Sequence, residues 1–108
     1  MAGEGFTTLW EFTVRPARLA EFESHYGPAG TWARLFGRAR GYLGSELLRD
    51  AANPLRYLTI DRWESAAAWQ AFRHEFRADY ERLDREFEGL TTRETPLGQY
   101  TPIAEVLP

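Results

Sequence analysis

The eight residues RYLTIDRW, 56–63, constrain the fold of this chain more than any other stretch. Their β-branched and aromatic content predicts a β-strand, whose alternate side chains point to opposite faces. One face carries two aliphatic side chains between arginines, and the other carries two large aromatics with two polar groups between them. The two sets are Arg56, Leu58, Ile60 and Arg62, and Tyr57, Thr59, Asp61 and Trp63. Apolar groups on both faces mean that something must cover the strand on both sides.

The composition fits one domain over residues 1–108, with 44% hydrophobic and 27% charged residues. The formal net charge of -3 argues against a nucleic-acid partner or an anionic membrane, since either favours a basic surface. The absence of cysteine excludes disulfides, thiolate metal sites and thiol nucleophiles. No leader-like segment or long apolar run is apparent, so we expect a cytoplasmic protein.

The remaining elements follow from periodicity and from turn residues. We predict a strand at 6–14, helices at 16–27 and 32–40, a strand at 41–50, a helix at 66–88 and an extended segment at 91–103. The turn DAANP should join the second and third strands as a hairpin, and Ser65 should cap the long helix. This β-α-β-β-α-β order predicts an α+β, ferredoxin-like fold with a four-stranded antiparallel sheet.

That layout covers only one of the two apolar faces of the third strand. The helices of a ferredoxin-like unit pack on one face of the sheet, which leaves an apolar second face exposed. A second copy that packs sheet against sheet would cover it. The chain is therefore predicted to form a homodimer, a dimeric α+β barrel.

Aromatic side chains on the predicted helices indicate a pocket for a small aromatic ligand. Trp69, Phe72, Phe76, Tyr80, Leu83 and Phe87 fall within roughly 60° of helical arc, a stripe that should pack on the sheet. The start of this stripe should line a pocket with the end of the third strand. The predicted lining is Tyr57, Trp63, Trp69, Phe72, Tyr26, Trp32 and His25.

Polar side chains in the strands admit two interpretations. Asp61 shares the aromatic face of the third strand, and Glu46 lies in the middle of the second. A carboxylate beneath helices needs a partner or has its pKa raised. Each is either an ion pair with one of the 13 arginines or a group aimed into the pocket.

The two histidines do not suggest a metal site. His74 lies about 140° from Trp69 around the helix and should face solvent. His25 sits near the end of the first helix, where it faces either a cleft or water. No HxxxH spacing and no phosphate-binding glycine motif is present, so neither a metal nor another cofactor is predicted.

The segment RYLTIDRWESAAAWQAF, 56–72, resembles the antibiotic biosynthesis monooxygenase domain family of dimeric ferredoxin-like α+β barrels. GYLGSELLRD, 41–50, is similar as well, and length and element order agree over almost the whole chain. Quinone-forming oxygenases of this family use a strand-three Asn, the Trp of W-x-S, a helix aromatic and a strand-two His. The resemblance places these positions at Thr59, Trp63, Trp69 and Leu48. Since leucine cannot handle a proton, Asp61 or His25 remains as the candidate base.

The haem-degrading members of the family fit less well. They use an Asn on strand one, whereas the only Asn of this chain is Asn53, in a turn. Their helix Trp and haem-ligating His correspond to Phe72 and to His74, which lies on the wrong helix face. Haem degradation is not predicted.

Two functions fit these residues. The first is a cofactor-independent monooxygenase of a phenolic or anthrone-like substrate, with Asp61, Thr59 and Trp63 as candidate catalytic residues. The second is a non-enzymatic or accessory binding module with the same pocket. The sequence does not identify the substrate.

Overall fold

A computed structural model describes residues 5–104. Its strands are β1 (Phe6–Val14), β2 (Tyr42–Arg49), β3 (Arg56–Trp63) and β4 (Thr91–Tyr100). Its helices are α1 (Leu19–Tyr26), α2 (Thr31–Phe36), α3 (Ala66–Glu75) and α4 (Arg77–Phe87), and short 3₁₀ turns span Pro16–Arg18 and Glu88–Leu90.

The strands form one antiparallel sheet in the order β2-β3-β1-β4. β1 and β3 lie side by side in the centre, although two helices and β2 separate them in the chain. This arrangement confirms the predicted ferredoxin-like α+β fold. β4 is an edge strand, which accommodates Pro96 beside a register shift where β4 pairs with β1.

Local polar contacts explain where two of the elements begin. The Asp50 carboxylate accepts hydrogen bonds from the backbone N–H groups of Ala52 and Asn53 and so closes the turn between β2 and β3. The Ser65 hydroxyl accepts from the backbone N–H of Ala68 at 3.1 Å, which caps α3 as predicted.

The predicted long helix is divided into two at Phe76. This residue has φ -107° and ψ 26°, outside the helical range, and it separates α3 from α4. Backbone bonds from Phe76 to Phe72 and from Tyr80 to Phe76 continue across the break. Residues 73–79 contain no proline or glycine, so no sequence signal marks this point.

All helices described lie on one side of the sheet, which we call the inner face. Cross-strand register shows that the inner face of β3 is the one with Tyr57, Thr59, Asp61 and Trp63. Leu58, Ile60 and Arg62 point to the opposite, outer face. The buried core is aromatic-rich and lies between the inner face and the helices. It comprises Phe12, Val14, Phe22, Tyr26, Trp32, Leu35, Phe36, Tyr57, Trp63, Trp69, Phe72, Phe76, Leu83, Phe87 and Leu90.

Within residues 5–104, no helix has the length and apolar character needed to cross a lipid bilayer.

Candidate functional site

A cavity of about 50 Å³, partly open to solvent, lies between the inner face and the helices. Its walls are mainly rings, with a few hydroxyl and carboxylate groups among them. The lining residues are Thr8, Trp10, Phe12, Tyr26, Trp32, Ala33, Phe36, Ser45, Thr59, Asp61, Trp69, Tyr80, Asp84 and Glu94. We call this space the aromatic cavity. Its mixture of apolar wall and convergent polar groups is typical of a small-molecule site.

Asp61 is the carboxylate on the sheet side of the aromatic cavity. It lies directly opposite Ser45 of β2 and Thr8 of β1, so the strand register surrounds it with hydroxyls. Burial raises the pKa of Asp61 to about 6, and hydrogen bonds from Ser45 and Thr8 offset part of that rise. Among the described residues no arginine forms an ion pair with Asp61. The ion-pair interpretation of this residue therefore does not hold in the structure.

A chain of hydrogen bonds leads away from Asp61. The Ser45 hydroxyl donates to the Asp61 carboxylate at 2.6 Å. Because Ser45 has one proton to donate, the Tyr42 hydroxyl, 2.6 Å from it, must be the donor in the second link. Both links stabilise the ionised carboxylate in surroundings that otherwise disfavour it.

The helical side of the cavity presents polar groups on aromatic side chains. Burial raises the pKa values of the Tyr26 and Tyr80 hydroxyls, so both remain neutral donors at pH 7. The Trp32 indole is only 7% exposed, and its N–H has no hydrogen-bond partner among residues 5–104. Burial is the main cause of the raised pKa of Tyr26, and the nearby Trp32 indole offsets part of it. The Trp32 N–H itself is buried.

Five residues of the predicted site line the aromatic cavity. They are Thr59 and Asp61 from β3, Tyr26 from α1, Trp32 from α2 and Trp69 from α3. The structure thus brings together side chains from four elements that are far apart in sequence.

The predicted residues Trp63 and Phe72 lie beneath the cavity wall. Trp63 is 0% exposed, with ring centroids of Trp69 at 5.6 Å, Phe36 at 5.7 Å and Phe72 at 5.2 Å. Its indole N–H has no partner within the described part of the chain. Neither residue lines the cavity. Both support the rings that do.

Tyr57 and His25 are directed elsewhere. The Tyr57 hydroxyl donates to the Glu23 carboxylate near the end of the sheet, away from the cavity. His25 Nδ1 lies 2.7 Å from the Thr31 hydroxyl, and its ring stacks on Phe87 at 4.1 Å, beside a separate surface groove. His25 therefore faces a surface groove and does not line the aromatic cavity.

The remaining histidine and the candidate metal ligands can be placed briefly. His74 is exposed, as its helical angle predicts. In the part of the chain that the structure describes, no three His, Asp or Glu side chains come together to hold a metal ion.

Glu46 and Leu48 both lie on the outer face. Glu46 forms an ion pair with Arg62 at 3.0 Å, which is the first of the two interpretations given for it. Leu48 pairs with Leu58 and is 42% exposed. A side chain at position 48 points away from the aromatic cavity, so this position cannot supply a base there. Its inner-face neighbour, Leu47, has no titratable group either.

The prediction from sequence missed much of the lining. Alternation in β1 placed Thr8, Trp10 and Phe12 on one face, but which strand lies next to β1 depends on the fold's long-range pairing. Asp84 follows Tyr80 by one helical turn and so shares its side of α4. The other missed residues are Ala33, Phe36, Ser45, Tyr80 and Glu94. Only an assembled sheet brings these positions together.

A fold of this kind, with an aromatic-lined cavity between sheet and helices, can be compared with known proteins. The family model of antibiotic biosynthesis monooxygenases matches residues 6–78. The chain belongs to the antibiotic biosynthesis monooxygenase family. No curated protein matches the chain.

Solved structures agree over nearly the whole chain. The chain resembles SnoaB, a cofactor-independent oxygenase from Streptomyces nogalater, at 25% identity and a TM-score of 0.74, covering 98% of this chain and 99% of that one. It resembles a putative antibiotic biosynthesis monooxygenase from Bordetella bronchiseptica at 26% identity and a TM-score of 0.72, covering 94% and 99%. A third structure, a putative antibiotic biosynthesis monooxygenase from Nitrosomonas europaea, is 14% identical with a TM-score of 0.71, covering 95% and 94%, and shows the shared fold alone.

Proposed function

We propose that this chain is a cofactor-independent oxygenase of a phenolic or anthrone-like aromatic that binds in the aromatic cavity. Family membership and the likeness to SnoaB support a monooxygenase-like role. The observation that carries the proposal is Asp61, a carboxylate among hydroxyls on an aromatic wall, whose pKa is raised to about 6. Such a group is ionised at pH 7 and is a stronger base than an ordinary aspartate.

The proposed reaction needs little from the protein beyond binding, proton transfer and anion stabilisation. Asp61 accepts the proton from the carbon that will be oxidised, which leaves a delocalised substrate anion. The anion passes one electron to O₂, and the substrate radical and superoxide combine to a peroxide. Loss of water from the protonated peroxide converts the CH₂ group into a carbonyl. One O₂ is consumed and one water released per substrate.

Neutral donors on the cavity wall would hold the substrate oxygens. The candidates are the Thr59 hydroxyl and the Trp32 indole N–H, which is unpaired among the described residues, since both residues line the cavity and neither adds a charge. Trp69 and Trp10 would contact the faces of the rings. Trp63 would act indirectly, by fixing the position of Trp69, at 5.6 Å between centroids.

We further propose that the active form is a homodimer. The outer face carries Leu9, Leu48, Leu58 and Ile60, an apolar surface that no element described here covers. A second copy of the same face is the occupant that the dimeric-barrel arrangement suggests.

The alternative is a binding module without catalysis. The absence of an imidazole from the cavity, within residues 5–104, favours it, because His25 and His74 both lie elsewhere. The binding module uses the same rings and differs only in that Asp61 transfers no proton.

Oxygen uptake with an anthrone-like phenol separates the two functions. Asp61→Asn keeps the shape and most of the hydrogen-bonding capacity but removes the base, so uptake should fall by about 10²-fold or more while affinity stays nearly unchanged. Glu75→Gln is the matched control, because its carboxylate is exposed on α3 and does not line the cavity. Wild-type protein that binds several such phenols without oxygen uptake would establish the binding module. Equal activity of Asp61→Asn and wild type would remove Asp61 as the base.

A further inference from the structure

Every charged side chain that lines the aromatic cavity is acidic. Asp61 lies on the sheet side, Asp84 comes from α4 and Glu94 from the inner face of β4. Although the chain has 13 arginines, none of those between residues 5 and 104 lines this cavity. The charge of the cavity is thus the opposite of what a carboxylated ligand would require.

The three carboxylates act on the same small region. Besides burial, which is the main cause, Asp84 and Glu94 raise the pKa of the Tyr26 hydroxyl, and all three carboxylates raise that of Tyr80. Their negative potential is therefore present at the two phenol groups of the wall.

Asp84 and Glu94 are exposed side chains, and they also line a neighbouring surface pocket together with Arg85. Neither forms an ion pair with any residue that the structure describes, and Glu94 accepts only from the Thr91 hydroxyl, at 3.1 Å. The Arg73 guanidinium lowers the pKa of Asp84, which burial raises, but it stacks over the Tyr80 ring at 4.2 Å and does not line the cavity.

We infer that the aromatic cavity selects its ligand by charge: it binds a planar aromatic that is neutral or carries a cationic substituent, and excludes one that carries a carboxylate. An anionic substituent would meet three like charges, two of them on the exposed side chains Asp84 and Glu94, and would find no cationic partner in the wall. A hydroxyl, amide or ammonium group can instead donate to Asp84 or Glu94. The inference deepens the proposed function, on which it rests for the identity of the cavity as the ligand site.

Three ligands on one ring system test this inference without turnover. Anthraquinone bearing a 2-carboxylate, a 2-carboxamide or a 2-aminomethyl group resembles a quinone product and has no CH₂ left to oxidise. Trp10, Trp32 and Trp69 line the cavity, so quenching of tryptophan fluorescence at pH 7.5 reports binding. The carboxylate should bind about tenfold or more weakly than the carboxamide, and the aminomethyl compound at least as tightly as the carboxamide.

Variants that remove the charges of Asp84 and Glu94 test whether the cavity wall causes the discrimination between carboxylate and carboxamide. Asp84→Asn with Glu94→Gln should bring the carboxylate to within about threefold of the carboxamide, since the repulsion is then mostly removed. Glu75→Gln with Glu86→Gln changes the net charge equally at two exposed positions outside the lining, and should keep the discrimination. Equal binding of carboxylate and carboxamide to wild type would overturn the inference. So would a control that abolishes the preference as fully as the cavity variant.

The outcomes separate this inference from the proposed function. Charge discrimination without oxygen uptake leaves the inference standing and removes the oxygenase. Oxygen uptake without charge discrimination leaves the oxygenase standing and overturns the inference. If none of the three ligands binds, the aromatic cavity is not the ligand site, and the inference is overturned together with the site assignment.

Discussion

The two faces of β3 show how one strand serves two different environments. On the inner face Asp61 is held by hydroxyls among aromatic rings, and burial raises its pKa to about 6. On the outer face Arg62 pairs with Glu46 at 3.0 Å, in an ion pair that is about half exposed. The pKa of Asp61 stays raised because no cation is available to it, whereas the Glu46 carboxylate is paired with Arg62 and hydrated. A charged group that the structure leaves without a counterion is the one to examine for function.

Apolar groups differ between the faces as well. The inner face presents large rings that pack against helices, whereas the outer face presents aliphatic chains such as Leu58 and Ile60 that remain partly accessible. The inner face supplies the stability and the site. The outer face is an apolar surface that no element among the described residues covers.

The largest expected effect is a loss of stability that separates a core ring, Trp63, from a ring of the cavity wall, Trp69. Trp63→Ala should lower the free energy of unfolding by about 3 to 5 kcal/mol, because the ring is fully buried and its removal leaves a void. Trp69→Ala should cost less, since one side of that ring already faces the cavity, but it should weaken aromatic ligands more. Urea denaturation and ligand titration of both variants check this. The distinction is wrong if the two variants show the same stability and the same affinity.

The outer face is tested by oligomeric state. Ile60→Arg places a charge in the middle of the proposed interface on both copies, so dimerisation should weaken by about a hundredfold or more. Ala71→Arg adds the same charge on the exposed side of α3 and should leave the dimer intact. Light scattering over a range of concentrations measures both, with circular dichroism to show that each variant is folded. A wild-type protein that stays a monomer of 12.5 kDa at micromolar concentration would refute the homodimer.

The sequence predicted the faces of β3 but not which of their residues meet. Alternation is a local property, so Tyr57, Thr59, Asp61 and Trp63 could be assigned to one face from sequence alone. The depth of each side chain depends on the helices above it, so Trp63 lies under the wall while Trp69 forms it.

Asp61, the proposed base, illustrates a second limit of prediction from sequence. Asp61 could be selected from its face, but its hydroxyl partners Ser45 and Thr8 require the register of two neighbouring strands. The family's strand-two position overlays on Leu48, which lies on the outer face, and one residue of register in a strand exchanges inner and outer face. The bulge between Tyr42 and Gly44 shifts the parity of β2, and Gly44, with its positive φ, is the sequence signal that accompanies it.

The smallest expected effect is a gain in stability from losing the perturbed carboxylate. Asp61 has a pKa of about 6 in the folded protein and about 3.9 in an unfolded chain, so between these values the folded state binds more protons. Its contribution to stability is therefore present below about pH 4, declines as the pH rises to 6 and stays lost above it.

Asp61→Asn removes that dependence and should raise the free energy of unfolding at pH 8 by about 2 kcal/mol relative to wild type, with no gain at pH 4. The estimate is lower than the pKa difference alone implies, since Asp61 retains some contact with solvent. Urea denaturation at pH 4, 6 and 8 measures it, with Glu46→Gln as the outer-face control, whose stability should change by less than about 1 kcal/mol at any of these pH values. If Asp61 is kept for function as a base, we expect its ionised carboxylate to destabilise the fold at neutral pH. If Asp61→Asn is instead less stable than wild type at pH 8, the carboxylate serves the fold, and the functional contrast between the two faces of β3 is lost.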